Sequence, residues 1–408
     1  MHRDAYGLHP YVNRYGMKMK KWLVAVLSLF MSVSAFGSCD FSKKESEELQ
    51  ITKTEMYAQE VLDYLSAEDE YEQIMALQSA DIYDKQLTSV SWTAQKDADK
   101  YSVLLSNDAS MNEKWEYTVD GAETEYTFNA LIPNTKYYVK VQSYDESGNL
   151  LRETKVQNFT TQQEFCQRIV NVDGVSNVRD VGGYTAQGTS TVKYGMIYRG
   201  ARLNGITDDG IATFTQELGI KTELDVRYGT DGGKVVDFAG VAYKQLGMWA
   251  YSSILPDTCQ PKADGAGLFD ERTIEGIKGV FETIANPSNL PVYIHCTAGA
   301  DRTGTICYLI HGVLGVEYHD LVQDFELTSF SEQGRRWRSS VKNWEFESEG
   351  IMQNDEKNFI AFGQMHSLMM KWYAPNGETL QTAVENYLTS VCGISMDTIN
   401  AVRENLLA

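Results

Sequence analysis

The spacing of hydrophobic and polar residues changes character twice along the chain. Between about Glu45 and Leu77, Val61, Leu62, Leu65 and Ile74 lie among charges and suggest helix without a sustained period. From Gln86 to Thr161 the pattern is one of short strands separated by turns. Leu87-Thr88-Ser89-Val90-Ser91-Trp92, Tyr101-Ser102-Val103-Leu104-Leu105 and Tyr126-Thr127-Phe128 lead into the long run Leu131–Val141. This spacing predicts an all-β sandwich over residues 86–162. From residue 163 onward, strand-like and helix-like stretches alternate. Thr207-Asp208-Asp209 can cap a helix running through Ile211, Phe214 and Leu218 to Gly219. Leu224 and Val226 mark a strand, and Ile274, Ile277, Val280, Phe281 and Ile284 fall at helical spacing. Residues 317–408 read as mostly helical, including Ala383, Val384, Tyr387 and Leu388. The expectation for 163–408 is an α/β domain with a central sheet flanked by helices.

The first residues follow a different logic. Lys18, Lys20 and Lys21 precede an apolar run from Trp22 to Phe36, then Gly37-Ser38-Cys39. A basic head, a short apolar core and small residues predict an export signal over 1–38. The core is too short for a confident membrane-spanning helix. Residues 1–16 are polar and foreign to such a signal, which makes Met17 or Met19 the expected start. Cys39 resembles the lipidated cysteine of a bacterial lipobox, with Phe36 where leucine is usual. The expectation is an exported envelope protein held to the membrane through Cys39, followed by a tether and helical lead-in over 39–85. Simple cleavage near the same site is the alternative.

Composition narrows the class further. With 408 residues, 43% hydrophobic and only 7 prolines, the chain has material for two or three globular domains. A formal net charge of -20 argues against nucleic acid or an anionic membrane surface as the main partner. The 6 cysteines are widely spaced and show no zinc pattern, so no metal site is expected.

The chemistry concentrates in His295-Cys296-Thr297-Ala298-Gly299-Ala300-Asp301-Arg302-Thr303-Gly304. Leu290–Ile294 before it reads as a buried strand, and Ile306, Leu309, Ile310, Val313 and Leu314 after it as a helix. A turn from strand into helix aims several backbone N–H groups at one point, where a tetrahedral oxyanion binds. Gly299 permits close approach of the backbone. Arg302 can hold two phosphate oxygens with its planar fork. Cys296 lies at the floor of this cradle, where the amides, the helix dipole and Arg302 favour a thiolate in line with phosphorus. Thr303 offers a hydroxyl to steady that thiolate. Cys296, Arg302 and Thr303 are therefore candidate catalytic residues. His295, Thr297, Ala298, Gly299, Ala300 and Gly304 are candidate substrate contacts. The competing reading is a buried structural cysteine beside a surface arginine.

The run resembles the signature loop of the cysteine-dependent protein tyrosine phosphatases, and more narrowly that of bacterial members. Asn177-Val178-Arg179-Asp180-Val181-Gly182-Gly183-Tyr184 is similar to an element near the start of that family's domain. Ile197-Tyr198-Arg199-Gly200-Ala201, Leu224-Asp225-Val226-Arg227 and Asp324-Phe325-Glu326-Leu327-Thr328-Ser329 resemble later elements in the family's order. The resemblance covers about residues 165–408 and adds Asn177, Arg179 and Asp180 to the candidate substrate-binding set. Ala300 stands where the narrower family usually carries lysine, which puts phosphoinositide activity in doubt. The Trp92 strand and the run from Leu131 to Val141 look like a fibronectin type III domain, which implies that Tyr138 makes its tyrosine corner.

A leaving oxygen needs a proton, usually from a carboxylic acid. The resemblance implicates Asp301, whose alternative role is to tie the loop together. Asp257, after Leu255-Pro256, is a second candidate, although a Pro-Asp pair is also a common turn. Asp225 and Asp180 sit beside arginines in the manner of ion pairs. Arg335, Arg336 and Arg338 form a basic cluster, either a solvated face or an aid to holding an anion. The reaction needs no cofactor. The expected substrate is a phosphorylated protein or small phosphomonoester, phosphotyrosine foremost. Alternatives are an inositol phosphate or phosphoinositide phosphatase, or a weakly active phosphate-binding protein working through its sandwich. Sulfur transfer leaves His295, Arg302-Thr303-Gly304 and the 177–184 element unexplained.

Overall fold

Alternation is clearest on the strand Lys136–Tyr144, where Tyr137, Val139 and Val141 point into a core and Tyr138, Lys140 and Gln142 point away from it. The computed structural model describes residues 49–52, 57, 59–79, 87–161, 165–229, 231, 233, 237–256, 259, 269–334, 336 and 354–408. Residues 1–38, read above as an export signal, and Cys39 lie outside them. In the N-terminal half, β1 (Gln50–Thr52), β2 (Thr88–Ser91), β3 (Lys100–Ser106), β4 (Trp115–Asp120), β5 (Glu125–Phe128), β6 (Lys136–Tyr144), β7 (Leu150–Glu153) and β8 (Gln157–Thr160) make two antiparallel sheets. Their orders are β1-β2-β5 and β4-β3-β6-β7, with β8 also paired to β6. Trp92, Tyr101, Val103, Phe128, Val139 and Phe159 fill the space between them, each burial contributing roughly 1.5–3 kcal/mol before entropy is counted.

Two expectations need correction here. Ile132 N–H donates to Tyr137 Oη at 2.9 Å, so the tyrosine corner belongs to Tyr137 and not Tyr138. The period of two decides it: Tyr137 shares the inward face with Val139, whereas Tyr138 faces outward beneath the Lys136 ammonium. The stretch read as tether and lead-in is also built into the fold. Gln50–Thr52 pairs with Ser89–Ser91 as an edge strand of the sandwich. Helices α1 (Gln59–Ser66) and α2 (Glu70–Ser79) follow. Val61, Tyr64, Leu65 and Leu77 pack on Leu327 and Phe330, and Tyr64 Oη donates to Glu326 Oε2 at 2.7 Å.

In the C-terminal half, β9 (Arg179–Asp180), β10 (Ile197–Gly200), β11 (Thr222–Asp225), β12 (Ala242–Gln245) and β13 (Val292–His295) form one sheet in the order β12-β11-β13-β10-β9. All pairings are parallel except β9 with β10. Helices α3 (Asp208–Ala212), α4 (Glu271–Ala285), α5 (Asp301–Leu314), α6 (Tyr318–Glu326), α7 (Asn354–Tyr373), α8 (Leu380–Ser390) and α9 (Met396–Leu406) accompany it. Thr207 caps α3 by accepting from Gly210 N–H, and Gly219, at φ +60°, ends the turn that continues it. The central strand β13 is buried at all four positions, as a parallel strand covered on both faces must be. Ile294 and Val292 face the larger helical core, while Tyr293 and Tyr198 face Phe214 and Phe238.

The two halves meet through buried polar contacts. Arg168 donates to the carbonyls of Ala130 and Leu131 in the sandwich and to Asp180 Oδ2 in the sheet. Glu217 accepts from the backbone and side-chain amides of Asn129 at 3.1 and 2.9 Å and from Tyr126 Oη at 3.1 Å. Burial pushes the Glu217 carboxyl above its ordinary range against the pull of these hydrogen bonds.

Tyr137→Phe should cost about 1–2 kcal/mol, because it leaves the Ile132 N–H without its acceptor, while Tyr138→Phe should be close to neutral. Urea unfolding of the two variants checks this. Equal losses would remove the tyrosine corner from position 137.

Candidate active site

The ten-residue run lies where the central parallel strand ends and α5 begins. Cys296 directly follows β13 and is buried, 2% exposed. Val226 N–H donates to the His295 carbonyl at 2.9 Å, so the end of β11 lies alongside the loop. Gly299 takes φ +68°, and a Cβ there would lie 2.2 Å from the Gly200 backbone. Position and conformation both demand glycine. The backbone N–H groups of Thr297, Ala298, Gly299 and Ala300 have no partner among the described residues. With the first amides of α5 they form a concave set of donors beside Cys296. Arg302 stands at the rim, its Nη2 donating to Thr297 Oγ1 at 3.3 Å and its Nη1 lying 3.8 Å from Asp231 Oδ2. Thr303 is fully buried and its hydroxyl has no partner among the described residues, Cys296 included.

Several expected substrate contacts turn out to support the loop from behind. His295 is wholly buried: Nε2 lies 3.0 Å from Glu223 Oε1 and Nδ1 3.2 Å from the Cys296 carbonyl. Asn177 Nδ2 donates to the Ala298 carbonyl at 3.0 Å. Arg179 Nη1 donates to Asn177 Oδ1 at 2.6 Å, and its Nε donates to Asp324 Oδ1 at 2.8 Å. Asp180 serves the Arg168 clamp and accepts from the Gly182 and Gly195 amides, each at 2.8 Å. Asn177 positions the loop directly and Arg179 through it, whereas Asp180 holds Arg168 and the Gly182 and Gly195 amides. Gly304 lies within α5, where a Cβ would press on Phe325 and Arg199. Ala300 is 0% exposed, so it contributes backbone and no side-chain surface.

The key supports had no role assigned from sequence. Arg199 is fully buried, donates through Nη2 to the Gly299 carbonyl at 2.9 Å, and pairs through Nη1 with Asp324 Oδ2. Asp324 thus bridges two buried arginines. Burial raises its proton affinity, but Arg179 and Arg199 overcome that and hold the carboxyl well below the usual range. An arginine within an otherwise apolar strand was the available signal, since a buried charge requires a partner.

The acid candidates separate. Asp301 Oδ1 accepts from Tyr251 Oη at 2.5 Å and lies 3.4 Å from Arg336 Nε. Tyr251 is itself fixed by its backbone N–H, which donates to Thr305 Oγ1 at 2.9 Å. Asp257, Arg335 and Arg338 lie outside the described residues. Asp225 and Arg227 form a two-pronged pair, both contacts 2.8 Å. Burial works against the Asp225 carboxylate, yet the hydrogen bonds from Arg227 hold its pKa below the ordinary value.

Comparison with known proteins matches residues 170–408 to the model of the tyrosine phosphatase family and residues 73–159 to that of the fibronectin type III domain. A Cupriavidus necator protein, whose curated name provisionally makes it a tyrosine-protein phosphatase, is 28% identical over 171 residues. The match covers 38% of this chain and 60% of that protein, less than two thirds of its length. Among solved structures, the core catalytic domain of PP-IP phosphatase SIW14 from S. cerevisiae, in complex with citrate, aligns at 16% identity with a TM-score of 0.26, covering 38% of this chain and 80% of that one. The fn3 domain of human contactin 1 aligns at 12% identity with a TM-score of 0.21, covering 33% and 91%.

Asp324→Asn should destabilise the fold by about 3 kcal/mol or more, because two buried guanidiniums lose their shared anion. The sign with pH follows from the depressed carboxyl. Its contribution is fully present above the ordinary carboxylate range and is lost only as pH falls through the lowered folded value. The wild-type advantage in urea unfolding should therefore stay constant from neutrality to about pH 5 and shrink only in stronger acid. An advantage that vanishes between pH 7 and pH 5 would contradict this.

Proposed function

The chain belongs to the tyrosine phosphatase family, and from that premise we propose that it hydrolyses phosphomonoesters, phosphotyrosine foremost, through a phosphocysteine on Cys296. Its architecture is a fibronectin type III-like sandwich followed by an α/β phosphatase domain. The observation that carries the reading is the placement of Cys296 at the end of the central strand, beside four unpartnered loop amides and the Arg302 guanidinium. A phosphate seated there receives hydrogen bonds on its equatorial oxygens, and these strengthen as charge spreads in the transition state. The Cys296 sulfur attacks phosphorus as the ester P–O bond breaks, and water then releases phosphate and returns the thiolate.

Two features favour an aromatic ester over a more highly charged inositol substrate. Ala300 is buried and neutral, so it adds no positive charge beside the phosphate. The half-buried rings of Tyr228 and Trp249 pack 4.9 Å apart, and Tyr228 follows directly on the Asp225–Arg227 stretch that flanks the loop.

The proposal includes location: export on the 1–38 segment and anchoring through a lipid on Cys39, motivated by the basic head, apolar core and small residues before it. Mass spectrometry of the mature N-terminus tests this, and an unmodified Cys39 in the cell-associated protein would refute the anchor.

With chelator present, the full chain should release phosphate from a phosphotyrosine peptide faster than from a phosphoserine peptide or a phosphoinositide. Cys296→Ser should abolish release at unchanged thermal stability. Turnover that survives in Cys296→Ser excludes the phosphocysteine route, and a preference for the phosphoinositide moves the substrate class.

A further inference from the structure

The leaving oxygen still needs a proton, and we propose that Asp231 delivers it. This rests on the phosphocysteine reading above and names the residue that completes it. Asp301 is poorly placed for the task, since one carboxylate oxygen already serves both Tyr251 Oη and Arg336 Nε. Asp231 also pairs with a guanidinium, but with that of Arg302 in the signature loop itself. Its side chain is 65% exposed and lies 3.8 Å from the guanidinium of Arg302. It is the described carboxylate that reaches Arg302.

The surrounding chain holds it at that spot. Asp231 N–H donates to the Tyr228 carbonyl at 2.8 Å. Gly233 N–H donates to Asp225 Oδ2 at 3.2 Å. The buried Asp225–Arg227 pair thus anchors the described residues on either side of Asp231. Val226 is bonded to His295 beside Cys296, and Asp231 meets Arg302 at the rim of the same cradle. The ester oxygen of a substrate points outward, away from the Cys296 sulfur, because the displacement is in line. A carboxyl at the mouth is on the side where that oxygen departs.

Substrate also changes what Asp231 faces. In the free enzyme its carboxylate faces Arg302. A phosphate dianion takes over that guanidinium, which frees the Asp231 carboxyl to turn to the leaving oxygen. In the first step the S–P bond forms, the P–O bond breaks, and the Asp231 proton moves to the leaving oxygen. In the second, the Asp231 carboxylate takes a proton from the attacking water as the P–S bond breaks and Cys296 leaves as thiolate.

The test uses the full chain and aryl phosphates that differ in leaving-group basicity. For Asp231→Asn, kcat/KM on phenyl phosphate should fall by about 10²-fold or more. On 2,4-dinitrophenyl phosphate, whose leaving group needs no proton, it should be nearly unchanged. A structural role alone would lower both substrates together. Parallel losses, no loss, or a leaving-group-selective loss found in Asp301→Asn instead would each overturn the assignment. If Cys296→Ser is inactive while Asp231→Asn shows no selectivity, the assignment of the acid fails and the phosphocysteine reading stands. Activity in Cys296→Ser removes both.

Discussion

Everything at this site hangs on one carboxylate between two buried cations. Asp324 comes from α6, Arg179 from the edge strand β9 and Arg199 from β10, and each arginine continues to the signature loop. Arg199 reaches the Gly299 carbonyl directly, and Arg179 reaches Ala298 through Asn177. Taking three charges out of water is expensive, and the mutual attraction offsets it only when the geometry is good and the remaining donors are satisfied. The Gly299 carbonyl takes Arg199 Nη2, Asn177 Oδ1 and the Asp324 carbonyl take Arg179, and Arg199 Nε is left without a partner among the described residues. The bonds to the Ala298 and Gly299 carbonyls turn them toward the protein interior, which leaves the amides of Thr297–Ala300 facing the other way. Loop geometry and ion-cluster stability are thus two consequences of one arrangement.

The cluster also settles an electrostatic difficulty. A chain of net charge -20 should repel a phosphate dianion at long range. Two arginines sharing one aspartate leave a net positive charge buried just behind the loop, and Arg302 adds another at the rim. In a low-dielectric interior such charges act strongly over short distances, while salt screens the acidic surface. For the proposed phosphate substrate, attraction would therefore operate in the last few ångströms, which suits selection by shape and contact more than long-range steering.

How much of this could be read from the residues depends on the range of the interaction concerned. The loop, its strand and its helix were legible because local pattern decides them: an apolar run, a glycine at the left-handed position and an arginine at the helix start. The caps on α3 and α4 follow from the same local chemistry. The sandwich was legible as a class, but its inward face slipped by one residue at Tyr137, because two adjacent tyrosines leave the phase of the strand ambiguous until Val139 and Val141 are counted with it. The supports were not legible, since Arg199 and Asp324 stand 125 positions apart and nothing local joins them. The packing of α1 was hidden for the same reason: Tyr64 finds its partner at Glu326, 262 positions away.

Those distant contacts change the part the N-terminal half plays. Arg168 binds the Ala130 and Leu131 carbonyls of the sandwich with one side of its guanidinium and Asp180 with the other, and Asp180 adjoins Arg179 in β9. Glu217 closes a second buried contact to Asn129 and Tyr126. On the far side, α1 packs on Leu327 and Phe330, immediately around Thr328, whose hydroxyl lies 3.4 Å from both Asn177 Nδ2 and Arg179 Nη2. A sandwich that swung away would break the bonds of Arg168 to Ala130 and Leu131 and those of Glu217 to Asn129 and Tyr126 together. The fibronectin-like half is therefore held as a fixed brace. It contacts the segment next to the strand that carries Arg179 while the lead-in helix packs beside the helix that carries Asp324, so the ion cluster behind the signature loop is held from both sides.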